Sequence, residues 1–525
     1  MRWETLISRT PTDFGAVSSF VEVTASDRGH LTFSTFLDAR QCERIDREAY
    51  VTARGWYRES RDDPTVVAGV SLGRAIELPA TVLLVRFLRA RAVVAAIAGN
   101  EPIALAGVGR EWELAARELG RPVVRLTEEE GPSSFAVPDP ALVNPNRYLR
   151  LAAGWASGSP MNRRVAFLGS PDWALPYLHT VRWSQLEVIN PGRRFLLRAL
   201  AARQRPAFSW LSDNGSYRSS WGNPSIGPEV LRGALRNLSP RLAALAGAPR
   251  NAQRRVLIAT QDVSPGARVA VLATRAAGGR VITLEHGIAG TYREQVHSVA
   301  DVLGAWGEPQ RRYHELAGAP GQRVISIGWP RLASTRLPAG EGPTVDILYF
   351  GQPVPSLSAG NWPEDMANAA RLIGGYAERH AGRRVAWKPH PASDAYGGAF
   401  DPGSAVPRRV GDSLRLISES RVVAAASSTT ALEAMAIGRP VIQLRTRGTT
   451  GGPDFIAASG AAQVAGTDAE FEDAAEQLLN DQRARRRAIE AGHAYVESFI
   501  VGFRDPGHAE RQLVEVINDL AGSLG

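Results

Sequence analysis

Lys388 is the only lysine among the 61 Lys and Arg residues of this 525-residue chain. It stands two residues from a histidine in the run Trp-Lys-Pro-His-Pro, residues 387–391. In a chain so biased toward arginine, a retained lysine points to a geometry that a compact ammonium satisfies and a planar guanidinium fork does not. Pro389 and Pro391 forbid a helix, so Lys388 and His390 project from an extended strand end. An ammonium and an imidazole together suit the oxygens of a diphosphate, and His390 as an N–H donor would stabilise charge growing on a leaving phosphate. The structural alternative is a histidine held by prolines beside a surface lysine.

A second pattern follows about forty residues later. An apolar run (422–426) meets four consecutive hydroxyls, Ser427, Ser428, Thr429 and Thr430, and a helical stretch rich in Ala follows. Ser or Thr at a helix start caps free N–H groups. Those N–H groups, the hydroxyls and the positive dipole end make an anion site at a strand tip. Glu433, one turn inside, is placed to accept hydrogen bonds from ribose hydroxyls. A capped helix in an α/β unit accounts for the same residues without a ligand.

A third pattern lies in the first half, where an apolar strand runs into Glu285-His286-Gly287. His286 has the residue type of a general base, with an unperturbed pKa of about 6.5. Glu285 is a candidate to orient it, although strand neighbours point to opposite faces. Tyr292 and Arg293 are candidates to bind an acceptor. A turn with a capping histidine is the alternative. Gly-Val-Gly-Arg-Glu-Trp (107–112) lacks dinucleotide-fingerprint spacing, and neither a P-loop nor a Gly-x-Ser-x-Gly elbow occurs. His493, His508 and the lone Cys42 have no metal-ligand spacing, so no metal is expected.

The elements that must position these residues alternate as strand, helix and strand, the pattern of doubly wound parallel sheets. Strands are expected at 254–260, 280–287, 344–352, 383–391, 421–428 and 439–444, with helices between them. Residues 80–99 are expected as a buried helix followed by a strand. Arg86, Arg89 and Arg91 exclude a membrane span there. Segments 130–165 and 205–228 read as long loops or insertions. Residues 337–343, Leu-Pro-Ala-Gly-Glu-Gly-Pro, read as a linker. The expected domains are 1–336, 344–500 and a C-terminal helix in 501–525.

Size predicts more than one core. The net charge of +8 is scattered, which argues against a nucleic-acid arm while leaving basic surface for an anionic substrate or membrane face. One cysteine excludes an intrachain disulfide and fits a reducing cytoplasm. No apolar signal-peptide core opens the sequence, so a cytoplasmic protein, in peripheral contact with the inner membrane face at most, is expected.

Trp-Lys-Pro-His-Pro followed by Ser-Ser-Thr-Thr-Ala-Leu-Glu-Ala-Met-Ala-Ile-Gly-Arg-Pro-Val-Ile resembles the nucleotide-binding half of GT-B glycosyltransferases. The likeness is to the bacterial capsule and surface-polysaccharide type, including sialyl- and Kdo-transferases. The CDP-glycerol glycerophosphotransferases share a similar layout, with Leu-Glu-His-Gly matching the first histidine motif and Lys-Pro-His-Pro the second. The resemblance implies two Rossmann-like domains facing across a cleft, with a C-terminal helix crossing back to the first. It implies His390, Ser427, Ser428 and Lys388 on the donor phosphates and His286 as the base that deprotonates a glycan or lipid-linked glycan acceptor. It covers 255–525, and the acid motif of the sialyltransferases is absent. A CDP-polyol phosphotransferase, a sugar-nucleotide epimerase and a non-enzymatic nucleotide-sugar binding protein are the alternatives.

Overall fold

The computed structural model describes residues 3–8, 17–22, 36–58, 63, 65–67, 69–97, 103–106, 110–125, 165–168, 186–189, 207–209, 256–260, 262, 264–285, 287, 298–317, 322–329, 342–351, 363–390, 401–426, 428–445, 456, 459–505 and 507–523. Three parallel sheets organise them.

The first part of the chain runs β1 (Trp3–Ser8), β2 (Val17–Glu22), α1 (Ala39–Gly55), the hairpin β3 (Val66–Val67) and β4 (Val70–Ser71), α2 (Leu72–Ala75), α3 (Glu77–Ala96), β5 (Ile103–Ala106), α4 (Arg110–Glu118) and β6 (Val123–Arg125). Four strands pair in the order β2-β1-β5-β6. A capping box starts α1: the Asp38 carboxylate accepts from the Gln41 amide (2.7 Å) while the Gln41 side chain accepts from the Asp38 amide (2.8 Å). Cys42, Ile45, Ala49 and Ala53, spaced three or four apart, form its buried stripe. Residues 77–96 are one helix, which corrects the expectation of a strand at its end. Val93 and Val94 pack in helical register in the core shared with α1, and Arg89 pairs with the buried Asp46 at 2.9 Å. Tertiary packing here overrides the β-preference of the valines.

The second sheet uses β7 (Val165–Leu168), β8 (Leu186–Ile189), β9 (Ala207–Ser209), β10 (Val256–Ala259), β11 (Arg280–Leu284), β12 (Val302–Ala305) and β13 (Arg323–Ser326), with α5 (Pro265–Ala276) and α6 (Glu308–Ala317). Its order is β13-β12-β11-β10-β7-β8-β9, so the chain reverses its direction of travel between β7 and β10. Strand β9 falls inside a segment expected to be a loop. Residues 1–336 thus hold two of the sheets, the four-stranded one and the seven-stranded one. Helix α5 shares one core with α1, α3 and α4. Across that joint Arg268 meets Glu77 at 3.3 Å with both side chains buried, and the Tyr57 hydroxyl donates to the same Glu77 carboxylate at 2.5 Å.

The third sheet comprises β14 (Val345–Phe350), β15 (Val385–Lys388), β16 (Ser420–Ala425), β17 (Val441–Leu444) and β18 (Gln463–Ala465), ordered β15-β14-β16-β17-β18. Helices α7 (Pro363–Arg379), α8 (Ser413–Ser418), α9 (Thr429–Ala436) and α10 (Asp468–Asn480) accompany it, and α11 (Gln482–Phe499) and α12 (His508–Gly522) follow. Strand β14 is buried along its whole length, as a strand with both faces covered should be. The chain then returns. Ala509, Leu513, Val516, Ile517 and Leu520 of α12 pack on Val256, Ile258, Ile282 and Val302 of the seven-stranded sheet. No described helix is long and apolar enough to cross a membrane.

Candidate functional site at the tip of the third sheet

The strand order of the third sheet reverses at β14, whose neighbours β15 and β16 lie on either side. In open parallel sheets a crevice forms outside the strand carboxyl ends at such a switch point. The register places the sequence motifs there. Phe350, the last residue of β14, pairs with Lys388 on one side and Ala425 on the other. One row across the sheet therefore carries the start of Lys-Pro-His-Pro and the approach to the hydroxyl run. Two inter-strand steps separate the outer strands, roughly 10 Å.

Lys388 is 8% exposed, and its Nζ lies 5.8 Å from the centroid of the Phe350 ring. A cation over an aromatic face retains attraction where water is scarce. Pro389 is buried, and His390, two residues past the strand, is exposed. The Gly351 amide donates to the Lys388 carbonyl at 3.0 Å, which ties the β14 and β15 tips together.

On the other side Ser428 is the N-cap of α9, in extended backbone (φ −149°, ψ 143°). Its Oγ accepts from the Thr430 amide at 3.3 Å and lies 2.6 Å from the Thr430 hydroxyl. Thr429 and Thr430 form the first turn, half-buried. Glu433 sits one turn further with its side chain buried. Gly438, at φ 74°, follows the helix, a backbone setting that favours glycine. Ser427 lies outside the described residues, as do His286, Tyr292 and Arg293.

Glu285 stands at the strand end, with partners the sequence did not reveal. It sits just past β11, 3% exposed, with both carboxylate oxygens engaged: Oε2 accepts from the Trp306 amide at 2.8 Å and Oε1 lies 2.9 Å from Nε2 of buried His314. Its carbonyl accepts from the Trp306 indole N–H at 3.1 Å. The carboxylate thus holds Trp306 and His314 in place, and its relation to His286 lies outside the described residues. Trp306 in turn stacks on Trp329 at 4.0 Å, and both belong to the core that contains Val496, Phe499 and Ile500 of the third-sheet half. The Trp306 carbonyl accepts from the Val501 amide at 3.0 Å. Glu285 therefore anchors the point where the chain crosses between halves.

Residues 401–411 are a contribution the sequence reading missed. The Trp387 amide donates to the Pro407 carbonyl at 3.1 Å and the Arg409 amide to the Trp387 carbonyl at 2.7 Å, so this segment runs parallel along the β15 edge. Between them opens a cavity of about 370 Å3 lined by Trp387, Pro389, Asp401, Ser404 and Pro407 among others. An Asx turn at Asp401, whose carboxylate accepts from the Gly403 amide at 2.8 Å, shapes its rim. Asp-Pro-Gly-Ser is a readable turn signal, but its pairing to an edge strand is not local.

The seven-stranded and five-stranded sheets, joined by a crossing segment and with the final helix returned to the earlier one, have the two-domain α/β layout of the GT-B fold, and the four-stranded sheet is an addition to it. Its assignment rests on the strand orders. No family model and no curated sequence matches the chain. Among solved structures it is similar to Anabaena HepE in complex with UDP and glucose, at 13% identity and TM-score 0.43, over 68% of this chain and 99% of that one. It is similar to UDP-N-acetylglucosamine 2-epimerase from Rickettsia bellii at 9% identity and TM-score 0.43, over 69% and 96%. A Thermobaculum terrenum O-GlcNAc transferase mutant aligns at 16% identity and TM-score 0.36, over 92% and 88%.

Proposed function

We propose that the chain is a nucleotide-sugar-dependent glycosyltransferase with its donor site at the switch point of the third sheet. The reading is supported by one observation above all: Lys388 and Ala425 flank Phe350 in a single row, so an amine-and-imidazole tip and a hydroxyl-lined helix start share one sheet edge. Lys388, His390 and the Ser427–Thr430 helix start would hold the donor phosphates, and Glu433 the ribose.

In the transfer, an acceptor hydroxyl oxygen bonds to the anomeric carbon of the donor sugar. The bond from that carbon to the donor phosphate oxygen breaks, and its electron pair leaves with the nucleotide. His286 takes the hydroxyl proton. The negative charge appearing on the phosphate meets the Lys388 ammonium, the His390 N–H and the helix N–H groups. In this reading the protein's own cations do what a metal does elsewhere, and Tyr292 and Arg293 face a surface-glycan or other glycosidic acceptor.

The experiment is a thermal-shift panel of UDP, CMP, CDP, GDP and TDP. A ligand that binds only the folded chain raises the melting temperature. At least one nucleotide is expected to do so, and silence from all five counts against the donor site. Nucleotide release that depends on added acceptor separates transfer from epimerisation.

A further inference from the structure

A second cavity, open to solvent and of about 490 Å3, lies where the β3–β4 hairpin and α2 meet the turn from α5 into β11. Three arginines line it: Arg74 of α2, Arg275 in the last turn of α5 and Arg280 at the start of β11. Among the described residues Asp301 is the single carboxylate in the lining, against three arginines.

That carboxylate is committed. Asp301 Oδ2 accepts from the Val281 amide at 2.9 Å, and Oδ1 accepts from Arg275 Nε at 3.0 Å and lies 3.9 Å from Arg280 Nη1. Arg275 also donates to the Val299 carbonyl at 2.8 Å. These bonds hold the Arg275 guanidinium in place before any ligand arrives. Arg74 differs: among the described residues no carboxylate lies within ion-pair distance of it. Partial burial holds its pKa below the usual arginine value, and Glu77, the nearby acid, is taken by Tyr57 and Arg268. Glu77 attracts the Arg74 guanidinium from beyond ion-pair distance and does not offset the water it has lost, a cost that an anion in the cavity would reduce. Arg275 and Arg74 both stand in the last turn of a helix, but α2 has a single turn and a small dipole, and Arg280 opens a strand, so helix-dipole compensation does not account for all three.

We propose that this cavity binds a phosphate-bearing group of about two negative charges. It is separate from the candidate site at the tip of the third sheet: none of its lining residues belongs to that sheet, and Arg280 stands at the start of β11, roughly 15 Å along the strand from Glu285 at the far end. Its volume falls within the range of small-molecule sites, which leaves room for a group attached to the phosphate. A soluble phosphate ester or pyrophosphate and a phospholipid headgroup share this chemistry.

The test uses the full chain, as wild type and as Lys388→Ala, which disables the candidate donor site. Pyrophosphate is titrated by calorimetry. Phosphatidylcholine vesicles, with and without phosphatidic acid, are tested by co-sedimentation. Arg74→Ala and Arg280→Ala are then added singly. The Arg280 side chain is 43% exposed, so its removal spares the fold even where loss of Arg74 does not. Binding that survives Lys388→Ala and weakens about tenfold or more with either arginine change is the expected result. Pyrophosphate binding identifies a soluble source, and phosphatidic-acid-dependent sedimentation identifies a headgroup. If neither probe binds, or if Arg280→Ala binds as tightly as its parent, the proposal is overturned. Because the Lys388→Ala background is read separately, failure of the donor-site reading leaves this outcome intact.

Discussion

Glu285 and His314 face each other at 2.9 Å with both side chains sealed from water, and the second Glu285 oxygen caps the Trp306 amide. The arrangement binds the end of β11, the last turn of α6 and the tryptophan on which the returning chain rests. Glu285→Ala leaves the Trp306 N–H and the imidazole without this partner in a dry interior. Removing one member of a buried hydrogen-bonded pair costs about 3 kcal/mol or more. Urea unfolding should show that loss in the midpoint, with Glu285→Gln falling between. An Ala variant as stable as wild type would mean that the contact carries no weight.

Gly307 is packed against the crossing segment with no room for a side chain. A Cβ there would come within 2.0 Å of the Phe499 carbonyl oxygen, a backbone atom that cannot swing aside. Gly307→Ala is expected to lower stability by about 1–3 kcal/mol, as overpacking does. Limited proteolysis should then cut near residues 500–507 faster than in wild type. Equal cutting rates and an unshifted melting temperature would refute the tight seat.

Asp346 gives the third sheet an acid-sensitive element. Burial pushes its carboxyl up, but the Arg384 amide and the Arg384 and Arg421 guanidiniums outweigh that and hold it below the ordinary carboxylate range. A depressed folded-state pKa means stability that is present above the unfolded value of about 4 and disappears as pH falls through the lower folded value. The wild type should therefore outlast Asp346→Asn at pH 7, and the gap should close below about pH 4. Melting temperatures of both proteins across that range decide it, and a gap independent of pH would contradict the linkage.

Much of the fold could be read because its strands are short apolar runs bounded by Gly, Pro or charged residues, as at Val256–Ala259 and Val345–Phe350. Helix starts were equally local: Ser264, Asp412 and Thr467 cap by side-chain bonds to nearby amides. What escaped was non-local. The Cys42–Ala53 stripe of α1 has helical spacing, yet its flanks gave no topology. The division of residues 1–336 into two sheets depends on β1 pairing with β5, about a hundred residues on. The bonds from Glu285 to Trp306 and His314 were hidden because those residues are 21 and 29 positions away. The Lys388 and Ser428 motifs could be placed on strand tips from proline and hydroxyl chemistry alone. Their common neighbour Phe350 emerged only with the register.

Lys388 also answers why one lysine persists in an arginine-rich chain, if its site admits only a compact cation. At 8% exposure above Phe350, the longer planar head of arginine should not fit the same space. Lys388→Arg is therefore expected to weaken nucleotide binding about as much as Lys388→Ala, and unchanged affinity in the Arg variant would defeat the explanation.

The shared donor site is tested most directly by the dissociation constant of the best nucleotide from the panel, measured for wild type, Lys388→Ala and Ser428→Ala. Convergence of the two strand tips on one set of phosphates predicts that each substitution weakens binding about tenfold or more, while melting temperatures without ligand stay close to wild type. A nucleotide that binds both variants as tightly as the wild type would contradict it.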